Sequence, residues 1–132
     1  MSYNNKKWPF KWYGLWKEYG VGYENYPSIF NFVDKNINER YDKDKLLEYL
    51  SNGSTVTSTS AINFPSPFHN DNNEGTVSFR TDGEWVWLDN IVKYIKYNNL
   101  LIPDIWLKKL IDKNYILDIK EIKLDKLDWP TL

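Results

Sequence analysis

The stretch Phe79-Arg80-Thr81-Asp82-Gly83-Glu84-Trp85-Val86-Trp87-Leu88-Asp89-Asn90 constrains the fold more than any other part of the chain. Asp82-Gly83 is a two-residue hairpin signal, because glycine accepts the positive φ that such turns require. Thr76-Val77-Ser78-Phe79 before the turn and Glu84-Trp85-Val86-Trp87 after it alternate polar with apolar, the period of a half-buried strand. Val77 and Phe79 are expected on one face of the first strand. Trp85 and Trp87 are expected to share a face of the second, with Val86 opposite. Asp89 suits a helix N-cap, and Leu88, Ile91, Val92 and Ile95 fall at helical spacing around it. The segment therefore reads as a 76–87 hairpin running into a helix.

Further elements can be placed around this unit. Asp42 to Asn52 reads as a helix capped by Asp42 or Asp44, with Leu46, Leu47 and Leu50 inward and Gly53 at a left-handed C-terminal cap. Ser54 to Ala61 reads as a strand leading into a loop. Phe64-Pro65-Ser66-Pro67-Phe68 is neither helix nor central strand, since two prolines remove donors and fix φ. Asn70 to Gly75 reads as a polar loop. Tyr26-Pro27-Ser28 suggests a helix entry ahead of Ile29, Phe30, Phe32 and Val33. Pro103 suits the first turn of a later helix with Ile105, Trp106, Leu110 and Ile111 inward and Lys108 and Lys109 outward. From Tyr115 to Trp129 the alternation of Leu117 with Ile119 and of Ile122 with Leu124 suggests an exposed edge strand. In the first twenty residues Trp8, Phe10 and Trp12 fit a strand, whereas Trp12, Leu15, Trp16 and Tyr19 fit a helix, and both stay open. The expected fold is α+β: one domain over 1–132, an antiparallel sheet containing the hairpin, and three or four helices packed to one side.

Composition narrows the chemistry. The chain has no cysteine, which excludes disulfides, thiolate catalysis and cysteine-type zinc sites. A formal net charge of −1 gives no drive toward nucleic acid or an anionic membrane. No apolar run reaches the length of a membrane helix, and the N-terminus lacks the apolar core of a signal peptide, which together favour the cytoplasm. Lys6, Lys7, Lys11 and Lys17 interleave with Trp8, Trp12, Trp16 and Tyr19, the mixture single-stranded nucleic acid uses, but core rings with a lysine fringe explain the same residues. His69 is the single histidine and lies in a proline-rich loop without a nucleophile turn around any serine, so no catalytic residue is assigned. Asp71-Asn72-Asn73-Glu74-Gly75 lacks the ligand spacing of a calcium loop, and no phosphate-binding glycine loop occurs. No cofactor or metal is expected.

The motif Arg80-Thr81-Asp82-Gly83-Glu84-Trp85-Val86-Trp87, then a helix with Tyr94, then Leu101-Ile102-Pro103-Asp104, resembles a block in small bacterial proteins of unassigned activity. In that group an R-T-D-G-x-W-V-W hairpin precedes a helix and a hydrophobic-Pro-acidic step into a second one. One departure is Leu88, where proline would be expected. Such proteins are similar in size, lack of cysteine and lack of a catalytic set to the cytoplasmic immunity proteins of bacterial toxin systems. The resemblance implies a non-enzymatic domain that neutralises a toxin by direct binding. It covers about residues 76–111 and carries over no catalytic residue.

Residues 21–80 hold eight acids against five bases, a local balance of −3 suited to a basic toxin domain. The expected partner surface is Glu24, Asp34, Glu39, Asp42, Asp44 and Glu48, flanked by exposed Tyr23, Tyr26 and Tyr41. The alternative is a ligand site or small enzyme at Arg80, Asp82 and Trp85, with a guanidinium and a carboxylate beside an indole face. A purely structural role competes there, with Asp82 building the turn and Arg80 pairing with it or stacking on Trp85.

Overall fold

In the computed structural model, residues 7–35, 41–58, 67–68, 78–117 and 123–130 are described. The chain forms β1 (Trp12–Tyr13), α1 (Lys43–Ser51), β2 (Ser54–Ser58), β3 (Ser78–Thr81), β4 (Val86–Leu88), α2 (Ile91–Asn98) and α3 (Asp104–Asp112). Short 3-10 turns occupy Lys17–Tyr19, Ile29–Phe32 and Leu124–Lys126. The α+β reading stands, with three α-helices among the described residues. The segment after Tyr26-Pro27-Ser28 makes only a 3-10 turn, whose first amides are met by Glu18 Oε1, accepting from Ile29 N–H at 2.7 Å, and by the Ser28 hydroxyl, accepting from Phe30 N–H at 3.3 Å.

The sheet order is β1-β4-β3-β2. β2 and β3, and β3 and β4, pair antiparallel, but β1 runs parallel to β4 with Trp12 opposite Val86. The sheet is therefore mixed, not antiparallel. The parallel pair arises because the N-terminal segment, rather than a second hairpin, covers the free edge of β4. A main-chain bond from Val86 N–H to the Lys11 carbonyl (2.9 Å) anchors it there. As an inner strand, β4 is buried on both faces: Val86, Trp87 and Leu88 are each at most 1% exposed. The expected half-buried strand is thus buried on both faces, while Trp85 and Trp87 meet the same ring, Trp106.

The N-terminal ambiguity resolves as a two-residue strand followed by a 3-10 turn, with the rings turned inward. Trp8, Trp12, Trp16 and Tyr19 are all buried, so they offer no stacking platform for bases. Buried residues from Trp8 to Leu127 make one continuous apolar cluster. At its centre Trp106 of α3 lies flat on Trp85, with centroids 4.7 Å apart at 6°, and tilts against Trp87 at 5.2 Å. The expected faces of α3 shift accordingly. Trp106, Leu107 and Leu110 are buried, while Ile105 and Ile111 are 53% and 46% exposed. Of the tail expected as an edge strand, residues 118–122 lie outside the described residues, and the described part holds a 3-10 turn over Leu124–Lys126.

α1 is capped by Asp42, whose Oδ1 accepts from Lys45 N–H at 3.1 Å, and it buries Leu46, Tyr49 and Leu50. Gly53 does not adopt the expected left-handed cap, being absent from the positive-φ glycines. It is glycine for steric reasons: a Cβ there would sit 2.4 Å from Cζ2 of Trp87. This close approach lets the start of β2 lie against the tryptophan core.

Candidate functional site

The hairpin motif is spent on building the fold. Thr81 pairs with Val86, so the connection is the four-residue Asp82–Trp85 loop rather than a two-residue turn. Asp82 shapes it, Oδ1 accepting from Glu84 N–H (3.0 Å) and Trp85 N–H (2.8 Å). The wholly buried Thr81 hydroxyl donates to the Trp85 carbonyl (2.7 Å) and accepts from Gly83 N–H (3.0 Å). Gly83 sits at φ 98°, the left-handed conformation the sequence called for.

Arg80, Asp82 and Trp85 face different partners. Arg80 Nη1 donates to the Gly53 carbonyl at 2.8 Å, and its Nε lies 3.9 Å from Asp89 Oδ2. Asp82 Oδ2 accepts from the Tyr49 hydroxyl at 2.6 Å. Trp85 is buried under α3, and the cation over its ring is Lys11, with Nζ 5.4 Å from the centroid. The expected pairing of Arg80 with Asp82, or its stacking on Trp85, is thus replaced by bonds that tie β3 to β2 and α1. Asp89 departs from its expected role as well. Its Oδ1 accepts from Ser78 N–H across the sheet, and Asn90 occupies the N-cap position of α2 without a side-chain cap bond.

These internal bonds perturb titration. Burial pushes the Tyr49 hydroxyl far above the usual tyrosine range, reinforced by its bond to Asp82 and by the charges of Asp82 and Glu84. At the loop tip burial works to raise Glu84, but hydrogen bonds from Lys109 and Lys11 outweigh it and hold the carboxyl below its usual value. Lys109 is therefore engaged with Glu84 rather than free on the outer side of α3.

The acidic set divides by location. Asp44 and Glu48 are exposed on α1, four residues apart on one face. Asp42 is committed to the cap. Glu24 lies in another groove, beside Lys17 and Asn31, and its Oε2 accepts from Gly22 N–H. Asp34 is half-buried at the junction where its N–H bonds the Asn99 carbonyl. Glu39 and His69 fall outside the described residues. Two of the three tyrosines expected at the surface belong to the core: Tyr26 and Tyr41 are 9% and 8% exposed, with only Tyr23 half-exposed. Large rings carry much apolar area and bury readily, and sequence position alone does not reveal it.

Glu48 borders an open groove of about 470 Å³ between α1 and the turn that follows α3. Lys45, Tyr49, Asn114, Tyr115 and Ile116 complete most of its wall. Asn114 and Tyr115 both take left-handed backbone, at φ 54° and 56°, a conformation uncommon for a tyrosine. The turn is held by Tyr115 N–H on the Leu110 carbonyl (2.8 Å) and by the Tyr115 hydroxyl, which accepts from Asp42 N–H at 3.3 Å. Ile116 then projects 64% exposed at the rim. Nothing in the apolar periodicity singled out this groove; the one sequence signal is Asn114 just past α3, since asparagine tolerates left-handed backbone.

Among the described residues no group of three His, Asp or Glu side chains is placed to hold a metal ion, and no helix is long and apolar enough to cross a membrane. No protein-family model, curated protein or solved structure matches the chain.

Proposed function

We propose that this protein is a non-enzymatic binding domain, most concretely an immunity protein that neutralises a bacterial toxin in the cytoplasm by direct contact. The observation that carries the reading is the like-charged pair Asp44 and Glu48. The two carboxylates stand one helical turn apart on the exposed face of α1, and neither forms an ion pair among the described residues. Like charges at this spacing cost a helix a few tenths of a kcal/mol, a cost that a cationic partner would remove. Ile116 adds an apolar contact at the rim of the same groove, the pairing of apolar anchor and polar rim found in protein interfaces.

A ligand site or enzyme centred on Arg80, Asp82 and Trp85 has less support, since each of the three is engaged by other parts of the fold. The partner surface narrows to Asp44 and Glu48 with the groove beside them. Glu24 and Asp34 become peripheral, and Asp42 is a poor test position because its replacement would also uncap α1. The test is isolation of tagged protein from its source cells, followed by reconstitution with whatever toxin domain co-purifies. Stoichiometric binding that protects cells from that toxin fits the proposal. Failure to bind or protect, with the toxin expressed, would reject it.

A further inference from the structure

The single Asn-Gly step of the chain, Asn52-Gly53, stands where α1 ends and β2 begins. Such a step has a chemistry of its own, and asparagine counts among the thermolabile residues for this reason. The Gly53 main-chain nitrogen can attack the side-chain carbonyl carbon of Asn52, and a glycine presents no Cβ to hinder that approach. A bond forms from the nitrogen to Cγ, the bond from Cγ to Nδ2 breaks, and ammonia leaves with the proton taken from the nitrogen. Water then opens the five-membered succinimide at either carbonyl. The products are aspartate or isoaspartate, and no other reactant is consumed.

Both reacting groups are unengaged. The Asn52 side chain is exposed and makes no hydrogen bond among the described residues, and the Gly53 N–H donates none. The flanking backbone, by contrast, is clamped. Asn52 N–H donates to the Glu48 and Tyr49 carbonyls at 3.2 and 3.3 Å. On the other side Arg80 Nη1 holds the Gly53 carbonyl at 2.8 Å, and Gly53 itself lies against the buried Trp87 ring. Between these anchors Asn52 is set at φ −94° and ψ 0°. Ring closure needs the Gly53 nitrogen to eclipse Cβ of Asn52 about the Cα–C bond. Turning ψ that far from its native value would pull Gly53 off both Arg80 and Trp87. Asp82-Gly83 could close the same ring, but its carboxylate is taken by Tyr49, Glu84 and Trp85.

We propose that Asn52-Gly53 is a self-modification site, a deamidation restrained by the grip of Arg80 and Trp87 on Gly53 and released when the end of α1 opens. The reaction requires no partner. Its aspartate product adds a third carboxylate four residues beyond Glu48, at the helix end that least favours negative charge. Its isoaspartate product lengthens the main chain by one carbon just before Gly53, where a Cβ already finds no room. Both products weaken the join between α1 and β2.

The experiment follows the full-length protein at pH 8 and 37 °C by peptide mass spectrometry, scoring a gain of one dalton at Asn52. In guanidinium chloride above the unfolding transition, Asn52 should deamidate faster than every other asparagine of the chain. In the native protein its rate should be at least about tenfold lower, because only the opened fraction reacts. Below the transition that rate should stay nearly flat with denaturant, since a local opening exposes little surface. Arg80→Gln, while folded, should raise the native rate at least about threefold, the factor carried by a weak hydrogen bond. The proposal is overturned by an unfolded chain that shows no preference for Asn52, or by a native rate that matches the unfolded one. A native rate that climbs with the full slope of global unfolding, or one unchanged in folded Arg80→Gln, overturns it equally. The wild-type denaturant series decides the matter even if the variant folds poorly.

Discussion

At Gly53 a single hydrogen atom separates a tolerated backbone from a clash. The tryptophan ring that blocks a side chain there, Trp87, is wholly buried and stacks against Tyr49, so it has little room to yield. Gly53→Ala is expected to destabilise the protein by about 1–3 kcal/mol, the usual cost of overpacking a filled core, as read by urea unfolding. Tyr49 makes a second prediction. Its folded-state pKa lies above the value near 10 of an unfolded tyrosine, so the unfolded chain releases this proton first. Its contribution to stability is complete below about pH 10 and is lost as pH rises through the folded value. Tyr49→Phe should cost about 1–2 kcal/mol at pH 7 by removing the bond to Asp82, and should flatten the decline above pH 10. Unfolding curves collected from pH 7 to 11.5 check both. Tyr13 is raised too, by burial first and by Tyr41 second, so some alkaline decline should persist in the variant.

Among the elements, α1 lets the proposed recognition be tested apart from stability. Asp42 caps it and also gives its main-chain N–H to the Tyr115 hydroxyl. Asp42→Ala should therefore lower stability by about 0.5–2 kcal/mol, measurable by thermal unfolding. Glu48→Lys should not. It turns a like-charged pair into Asp44 followed by lysine four residues on, the favourable order, and places a cation toward the helix C-terminus. A melting temperature equal to or slightly above wild type is expected. The helices were the most legible elements because capping and apolar spacing are local: Asp42, Leu46, Leu50, Ile91 and Ile95 stand where the pattern put them. The strands were less so. Asp82-Gly83 announced a reversal, but Thr81 and Asp82 hydrogen bonds, not the glycine alone, set its four-residue length. The parallel partner of β4 comes from residues over seventy positions away, and no local period carries that information.

For the molecule as a whole, the tryptophan content proved to be architecture: the indoles of the 79–90 segment meet Trp106 of α3 to form the centre of the core. The proposed partner surface was legible only in part. An acidic middle of the chain pointed toward Asp44 and Glu48, but burial of Tyr26 and Tyr41 and the capping bond of Asp42 depend on tertiary packing that composition does not encode. The groove rim at Ile116 arises from two consecutive left-handed residues, a feature with no periodic signature. The central claim is that this surface, rather than a reaction, is the purpose of the fold. The most direct measurement is the affinity of the co-purifying toxin domain for wild type and for Glu48→Lys, by calorimetry at physiological salt. The account predicts at least a tenfold loss of affinity in the variant at an undiminished melting temperature. Equal affinity for the two proteins would contradict it.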